Sequence, residues 1–136
     1  MSAALALQIA LRARLVGTPA VVALVPAACI IDRGDRPAAP ACIVLGEAQE
    51  IEDGGMTRRR VRVHHTLHVW RRETSLEGVT AIAGQVRAAV HAAPLDLPDQ
   101  FACLGAWVSS VRTLRDPSGT MGHAVVTVEA IVEDLA

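Results

Sequence analysis

Residues 61–70 alternate between two kinds of side chain, and this run constrains the fold more than any other part of the sequence. A period of two places successive side chains on opposite faces of a β-strand, so the run predicts a strand with one buried face. β-branched residues within it fit a pleated sheet better than a helix. The first set is Val61, Val63, His65, Leu67 and Val69, and the second is Arg62, His64, Thr66, His68 and Trp70.

A helical period follows the strand after a short polar break. Thr74 and Glu77 have the spacing of a capping box with Thr74 as the N-cap, and Pro94 and Pro98 end the pattern, so a helix is expected over residues 76–93. Its buried stripe is expected to be Leu76, Val79, Ile82, Ala83, Val86 and Val90.

The opposite face of this helix carries mostly small residues and few charges. A solvated helix face usually carries more charge, so the small residues have two interpretations: an alanine-rich composition, or close packing against a second subunit. We keep as candidate interface residues Gly78, Ala81, Gly84 and Ala88.

The N-terminal residues predict a helix that is apolar on two sides. Ser2 can cap it, and Gly17 can stop it after Val16. A helix of this kind is either buried on both sides within the domain or turns one side toward another subunit. The two stripes are Leu7, Leu11 and Leu15, and Leu5, Ile9 and Val16.

The remaining residues predict a second short helix from Pro19 and several strands. A short strand near residue 30 is possible, residues 32–40 form a turn-rich connection, and strands are expected at 41–51, 101–115 and 122–133. The last two join through a type I turn at Asp116–Gly119. The expected fold is therefore a single α+β domain over residues 1–136, an α/β sandwich. Its antiparallel or mixed sheet has about four to five strands, with helices on one face.

A polar hairpin tip is expected between residues 47 and 60. Acidic side chains precede its glycines and three arginines follow, so the two flanks could pair across the hairpin. Mobile polar tips are common places for partner contacts. The candidate interface residues here are Asp53, Gly54, Gly55, Arg58, Arg59 and Arg60.

Composition argues against several classes of function. The formal net charge is −1, whereas a dedicated nucleic-acid domain is usually strongly basic. All 13 basic side chains are arginine, which we attribute to coding bias. No secretory signal is expected, and no stretch approaches the roughly 18 uncharged apolar residues of a membrane span. The three separated cysteines, without a CxxC pair, are expected to be reduced thiols in the cytoplasm.

The sequence contains no recognisable catalytic, cofactor or metal site. On a strand, His64 and His68 would lie ~13 Å apart and His65 would face the other way, so the three cannot share one ion. Neither a phosphate-binding glycine loop nor a nucleophile elbow is present. For Cys103, a buried thiol is the better interpretation than a nucleophile.

Three segments together resemble a known family. They are ALRARLVGTPAVVALV near the start, HHTLHVWRRETSLEGVTAIAGQVRAAVHAAPLDLP in the centre and DPSGTMGHAVVTVEAIVE near the end. Their order and spacing are similar to those of the small tail-completion proteins of long-tailed phages and phage-derived gene transfer agents. The resemblance covers most of the chain and depends above all on LHVW before the central helix and AVHAAPLDLP at its end.

This resemblance implies a non-enzymatic tail terminator. Such a subunit forms a six-membered ring on the last ring of the tail tube, stops tube growth and presents a surface to the head connector, while DNA crosses the channel without specific binding. The implied partners are further copies of itself, the tail-tube protein and the connector. The protein would be assembled in the host cytoplasm and reside in the virion. Two alternatives stay open: a neighbouring head-tail connector or stopper, and a nucleic-acid-binding module using Arg58–Arg60.

Overall fold

A computed structural model describes residues 1–32 and 40–136. Apart from its two ends, the expected turn-rich connection at 32–40 lies outside the described residues. The elements in chain order are α1 (Ala3–Val16), α2 (Pro19–Val22), a short 3-10 helix (Ala27–Cys29), β1 (Ile30–Ile31), β2 (Ala41–Glu52), β3 (Arg60–Arg72), α3 (Glu77–His91), β4 (Phe101–Arg115) and β5 (Met121–Asp134).

The strands form one mixed sheet in the order β1-β2-β3-β5-β4. β1 runs parallel to β2, and the other neighbours are antiparallel. The α+β class, the short strand near residue 30 and the C-terminal hairpin are therefore confirmed. Gly119 closes the hairpin turn by donating its backbone N–H to the carbonyl of Asp116 at 2.8 Å, and its φ of +73° suits a residue without a Cβ.

β3 buries the face that its alternation predicts. Val63, His65, Leu67 and Val69 are buried, whereas the residues between them are partly exposed. β5, the antiparallel neighbour of β3, repeats this pattern with Ala124, Val126, Val128, Ala130 and Val132 fully buried. The helices cover this one face, so we call the other side of the sheet the open face.

The hydroxyl of Ser2 and one carboxylate from the sheet hold the start of α1. Ser2 is the N-cap, as predicted, and its hydroxyl accepts the N–H of Leu5 at 3.2 Å. Glu50 of β2 accepts the N–H of Ala4 at 2.8 Å. These contacts satisfy two of the free N–H groups at the helix start, and the charge of Glu50 is favourable there.

The predicted capping box of α3 is wrong. The helix begins at Glu77, and its N-cap Leu76 offers no side-chain acceptor. The carboxylate of Glu73 instead accepts the N–H groups of Gly78 at 3.2 Å and Val79 at 3.0 Å. Glu73 comes directly after β3, so its carboxylate reaches the first turn of the helix from the end of the strand.

The two long helices are tied together at their C-terminal ends. Arg14, in the last turn of α1, reaches the end of α3, where backbone carbonyls lack partners within the helix. Within the described residues, no helix has both the length and the apolar character needed to cross a membrane.

Candidate interaction surfaces

The loop between β2 and β3, residues 53–59, is the most exposed projection of the described structure. Every residue in it is exposed, and Met56 is 100% exposed. Gly54 and Gly55 have φ values of +84° and +89°, which explains why glycine occupies both positions. Arg58 also has a positive φ, +56°, which is uncommon for a residue with a side chain. We call residues 53–59 the hairpin loop.

The base of the hairpin loop is held, although its tip is free. The N–H of Asp53 donates to the carbonyl of Arg60 at 3.2 Å, and the carboxylate of Asp53 lies 3.6 Å from Arg62. The carbonyl of Arg59 accepts the N–H of Asp134 at 2.8 Å. Arg60 pairs with Glu133 of β5 at 3.7 Å rather than with the acidic flank of β2. The base of the hairpin loop is therefore fixed to the sheet, and its tip projects into solvent.

The small-residue face of α3 divides into two parts. Ala81, Gly84 and Ala88 are exposed, and a Cβ added at Gly84 would meet no atom within 4 Å. We call these three the α3 small face. Gly78 differs, because a Cβ there would lie 2.3 Å from Cδ of Arg71 and 2.6 Å from a carboxylate oxygen of Glu73. Packing against Arg71 and Glu73 within the subunit therefore explains why residue 78 is glycine, without a contact to a second subunit.

The second apolar stripe of α1 is covered only at Val16, which is partly buried against the core. Leu7, Leu11 and Leu15 are fully buried, but Leu5 is 45% exposed and Ile9 is 43% exposed. These two lie one helical turn apart and form what we call the α1 outer stripe.

A stack of rings lies on the open face of the sheet. Trp70 of β3 and His123 of β5 are directly opposite each other in the register, with parallel rings whose centroids are 3.7 Å apart. Nδ1 of His68 lies 2.9 Å from Nε2 of His123, and Nε2 of His68 lies 3.2 Å from the carboxylate of Glu47. Burial, together with the charges of His68 and Arg112, lowers the pKa of His123.

A second cluster on the open face joins the hairpin loop to the sheet. Arg62 donates to Glu129 at 2.6 Å, and its guanidinium carbon lies 5.9 Å from the ring centre of Trp107. The hydrogen bond that Arg62 donates to Glu129 is the largest cause of the raised pKa of Arg62. Because the same guanidinium also approaches Asp53, it connects β3 and β5 with the loop base.

Comparison with known proteins shows which family the chain belongs to. The model of the family described as "Tail completion protein gp17" matches residues 9–133, which include every element except the start of α1 and the last residue of β5. The chain belongs to this family. Among curated proteins, no sequence matches the chain at a significant level.

A solved structure shares the fold of this tail completion protein. It is a chain of the "Virion of native gene transfer agent (GTA) particle", with a TM-score of 0.85 and 22% sequence identity, and the match covers 98% of this chain and 99% of that one. Such coverage means that the whole arrangement of sheet and helices is common to both.

The histidines of this family member are placed as strand geometry predicts. His65 is fully buried under α1, with its Nε2 3.3 Å from the carboxamide oxygen of Gln8, and burial lowers its pKa. His64 and His68 lie on the open face. His123 was missed by sequence reasoning, because only the register of β3 with β5 brings it to His68. Among residues 1–32 and 40–136, no group of three metal-ligating side chains converges.

Two of the three cysteines, Cys42 and Cys103, are poorly suited to act as nucleophiles. Burial raises the pKa of the Cys103 thiol, and a thiol that holds its proton is a poor nucleophile at neutral pH. Cys42 is 1% exposed, and burial, with a contribution from the charge of Cys29, raises its pKa to about 12. Neither Cys42 nor Cys103 is therefore activated as a nucleophile.

Proposed function

We propose that this tail completion protein is a tail terminator. Copies of it, six by the family resemblance, form a ring on the last ring of the tail tube, stop tube growth and present a surface to the head connector. The observation that carries this proposal is the family match over residues 9–133. The terminator acts without catalysis, and its function is to present surfaces of the correct shape.

Two different patches on the helical side of the subunit support ring formation. A closed ring requires heterologous contacts, in which one patch of each subunit meets a different patch of the next. The α1 outer stripe projects two large apolar side chains, Leu5 and Ile9, whereas the α3 small face lacks bulk at Gly84. A ridge of large side chains packs well against a surface of small residues, so these two patches are our candidates for the contact.

The hairpin loop is our candidate for the contact with the tail tube. It projects beyond the sheet, and its fully exposed Met56 is a flexible apolar side chain that adapts to a partner surface. Arg58, Arg59 and Arg60 follow it and are exposed. The connector would meet another side of the ring. A formal net charge of −1 suits a channel through which DNA passes without specific binding.

The particle in which the terminator works is a phage or gene transfer agent virion. The likeness in fold to a chain of a gene transfer agent particle supports this proposal. Assembly would take place in the host cytoplasm, before the tail joins the head.

Native mass spectrometry over a range of concentrations tests the ring, with tail tubes added as a template. We expect a closed oligomer of six copies. Leu5→Glu and Ile9→Glu should abolish it, because each places a charge in an apolar contact, whereas Leu135→Glu is a matched control at a 58% exposed position. A monomer at every concentration, with and without tubes, would contradict the ring.

Electron microscopy of particles that lack the protein tests its place in assembly. A terminator predicts tails of irregular or excess length that are not joined to heads. Tails of normal length that stay unjoined would favour a neighbouring connector or stopper instead, and normal tails joined to heads would overturn both. Salt-dependent DNA affinity that is lost when Arg58–Arg60 are changed to alanine would favour the nucleic-acid-binding module.

A further inference from the structure

The second half of β4 is an uncovered edge of the sheet. β4 is an outermost strand, and among residues 1–32 and 40–136 only β5 pairs with it. Its first half is irregular, with register shifts at Leu104 and Ser109, and Nε2 of His91 accepts the N–H of Val108 at 2.9 Å. From Ser110 onward the pairing with β5 is regular, so the strand presents a row of outward backbone groups to an added strand. We call residues 109–115 the β4 edge.

The opposite side of the sheet has a second uncovered edge, along the end of β2. β1 pairs with β2 only at Ile43 and Val44, and no other strand that the structure describes lies outside residues 46–52. We call these residues the β2 edge. β2 and β5 are both antiparallel to β3, and β4 is antiparallel to β5, so the two edges run in opposite directions. A second copy in the same orientation would therefore bring its β2 edge antiparallel to the β4 edge, which is the more stable kind of pairing.

The two edges carry opposite charges. The β4 edge contains Arg112 and Arg115 and no acidic residue, whereas the β2 edge contains Glu47, Glu50 and Glu52 and no basic residue. All five charged residues are exposed. Opposite charges on neighbouring strands attract and like charges repel, so this distribution favours a β4 edge against a β2 edge over two identical edges. The charge complementarity therefore selects a second copy of this chain as the occupant, and a heterologous contact that can close a ring.

The helical side places one of the proposed ring-contact patches beside each edge. Arg12 lies one helical turn after Ile9 and donates from its Nε to the carbonyl of Ile30 in β1 at 3.0 Å, so the α1 outer stripe lies on the β2-edge side. Ala88 lies one turn before His91, whose ring binds β4, so the α3 small face lies on the β4-edge side. Pairing of the two edges would therefore bring the α3 small face toward the α1 outer stripe of the next copy.

We propose that neighbouring copies in the ring join their sheets edge to edge, with the β4 edge of one copy paired antiparallel to the β2 edge of the next. This inference rests on the proposed ring and adds the backbone contact that sets the orientation of its subunits. Each subunit uses one edge on each side, so the same contact repeats until the ring closes and leaves neither edge uncovered.

Hydrogen exchange on the full-length protein tests the backbone pairing by comparing the monomer with the ring, formed alone or on tail tubes. We expect amides of the β4 edge and of the β2 edge to become protected together when the ring forms. A ring in which both edges exchange as fast as in the monomer would overturn the edge pairing and leave the proposed function standing. A wild type that forms no ring under either condition would overturn both.

Exchange of the edge charges tests the partner of each edge by native mass spectrometry. The basic-edge variant combines Arg112→Glu with Arg115→Glu, and the acidic-edge variant combines Glu47→Arg with Glu52→Arg. Each variant alone should lose the ring, because like charges then meet at every contact. An equimolar mixture, with one variant labelled with ¹⁵N, should restore rings that contain equal numbers of the two. Asp96→Arg, an exposed charge reversal between α3 and β4, is the control and should keep the ring.

Rings formed by either edge variant alone, as abundant as those of the wild type, would contradict the proposal. A mixture that stays monomeric although both variants are folded would also contradict it. Should a variant fail to fold, hydrogen exchange on the wild type decides the question without a substitution.

Discussion

Arg14 donates a hydrogen bond of 2.8 Å from its Nη1 to the backbone carbonyl of Ala89, and so joins two helices that are far apart in the sequence. The same guanidinium reaches the carbonyls of Ala93 at 3.0 Å and Pro94 at 2.9 Å. A planar group with several donors suits this position, since the last carbonyls of a helix have no partners of their own. The Arg14 side chain thus caps the C-terminal end of α3 and fixes the position of α3 relative to α1.

Replacing Arg14 should destabilise the subunit. Arg14→Ala leaves three carbonyls without their charged donor, and hydrogen bonds to charged groups contribute about 1.5–3 kcal/mol, so we expect the free energy of unfolding to fall by about 1–3 kcal/mol. Urea unfolding followed by circular dichroism measures it. Arg87→Ala, at an exposed position on α3, is the matched control and should change stability by less than about 0.5 kcal/mol. Equal losses in the two variants would contradict this role of Arg14.

Glu73→Ala should weaken the start of α3. The carboxylate accepts two backbone N–H groups there, and the loss of such a cap costs about 1 kcal/mol. Thermal unfolding checks the effect, with Glu77→Ala as the control, because Glu77 lies in the same first turn and is exposed. If the original capping-box prediction were correct, Thr74→Ala would instead be the more damaging change.

Alanine at the two glycines of α3 should have opposite effects. At Gly84 a methyl group meets open space, so the improved helix propensity should stabilise the isolated subunit by up to about 1 kcal/mol. At Gly78 the methyl group would displace Arg71 and the capping Glu73, which should outweigh this gain. Denaturant midpoints of the two variants decide the question, and stabilisation at both positions would contradict the packing assigned to Gly78.

Acidification should destabilise the fold through His65, which is buried, and His123, which is partly buried. The folded-state pKa values of His65 and His123 are lowered. Below a pH of about 6.5 the unfolded chain therefore binds more protons than the folded chain, which favours unfolding. This loss of folding stability is absent near pH 8 and grows as the pH falls toward 5. His65→Leu should reduce the stability difference between pH 7 and pH 5, measured by urea unfolding. An unchanged difference would show that His65 does not titrate as its burial requires.

Local periodicity explains which parts of the fold were predictable. The alternation in β3 and β5 and the helical stripe of α3 are properties of neighbouring residues, so the sequence alone indicated the elements and their buried faces. The capping of α3 by Glu73 depends on how the chain leaves β3, and no local pattern contains that turn. The contact of Arg14 with Ala89 and the stack of His123 on Trp70 depend on helix packing and strand register, which sequence spacing does not encode.

The candidate interface was predictable only in part, for the same reason. Exposure of the α3 small face and of the hairpin loop agrees with the sequence pattern, although their partners stay a prediction. Gly78 belongs to the same sequence pattern as Gly84, but its environment is set by Arg71 and Glu73, which reach it through the fold.

Trp70 and Trp107 are the only tryptophans of the chain, and both lie on the open face of the sheet. The protein therefore contains its own optical probe of that face. A partner that covers the open face will exclude water from both indoles and change their emission, whereas assembly through the helical side will leave it nearly unchanged. A fluorescence titration with tail tubes, and another with self-association, can then report which side of the subunit each contact uses, without a label or a mutation.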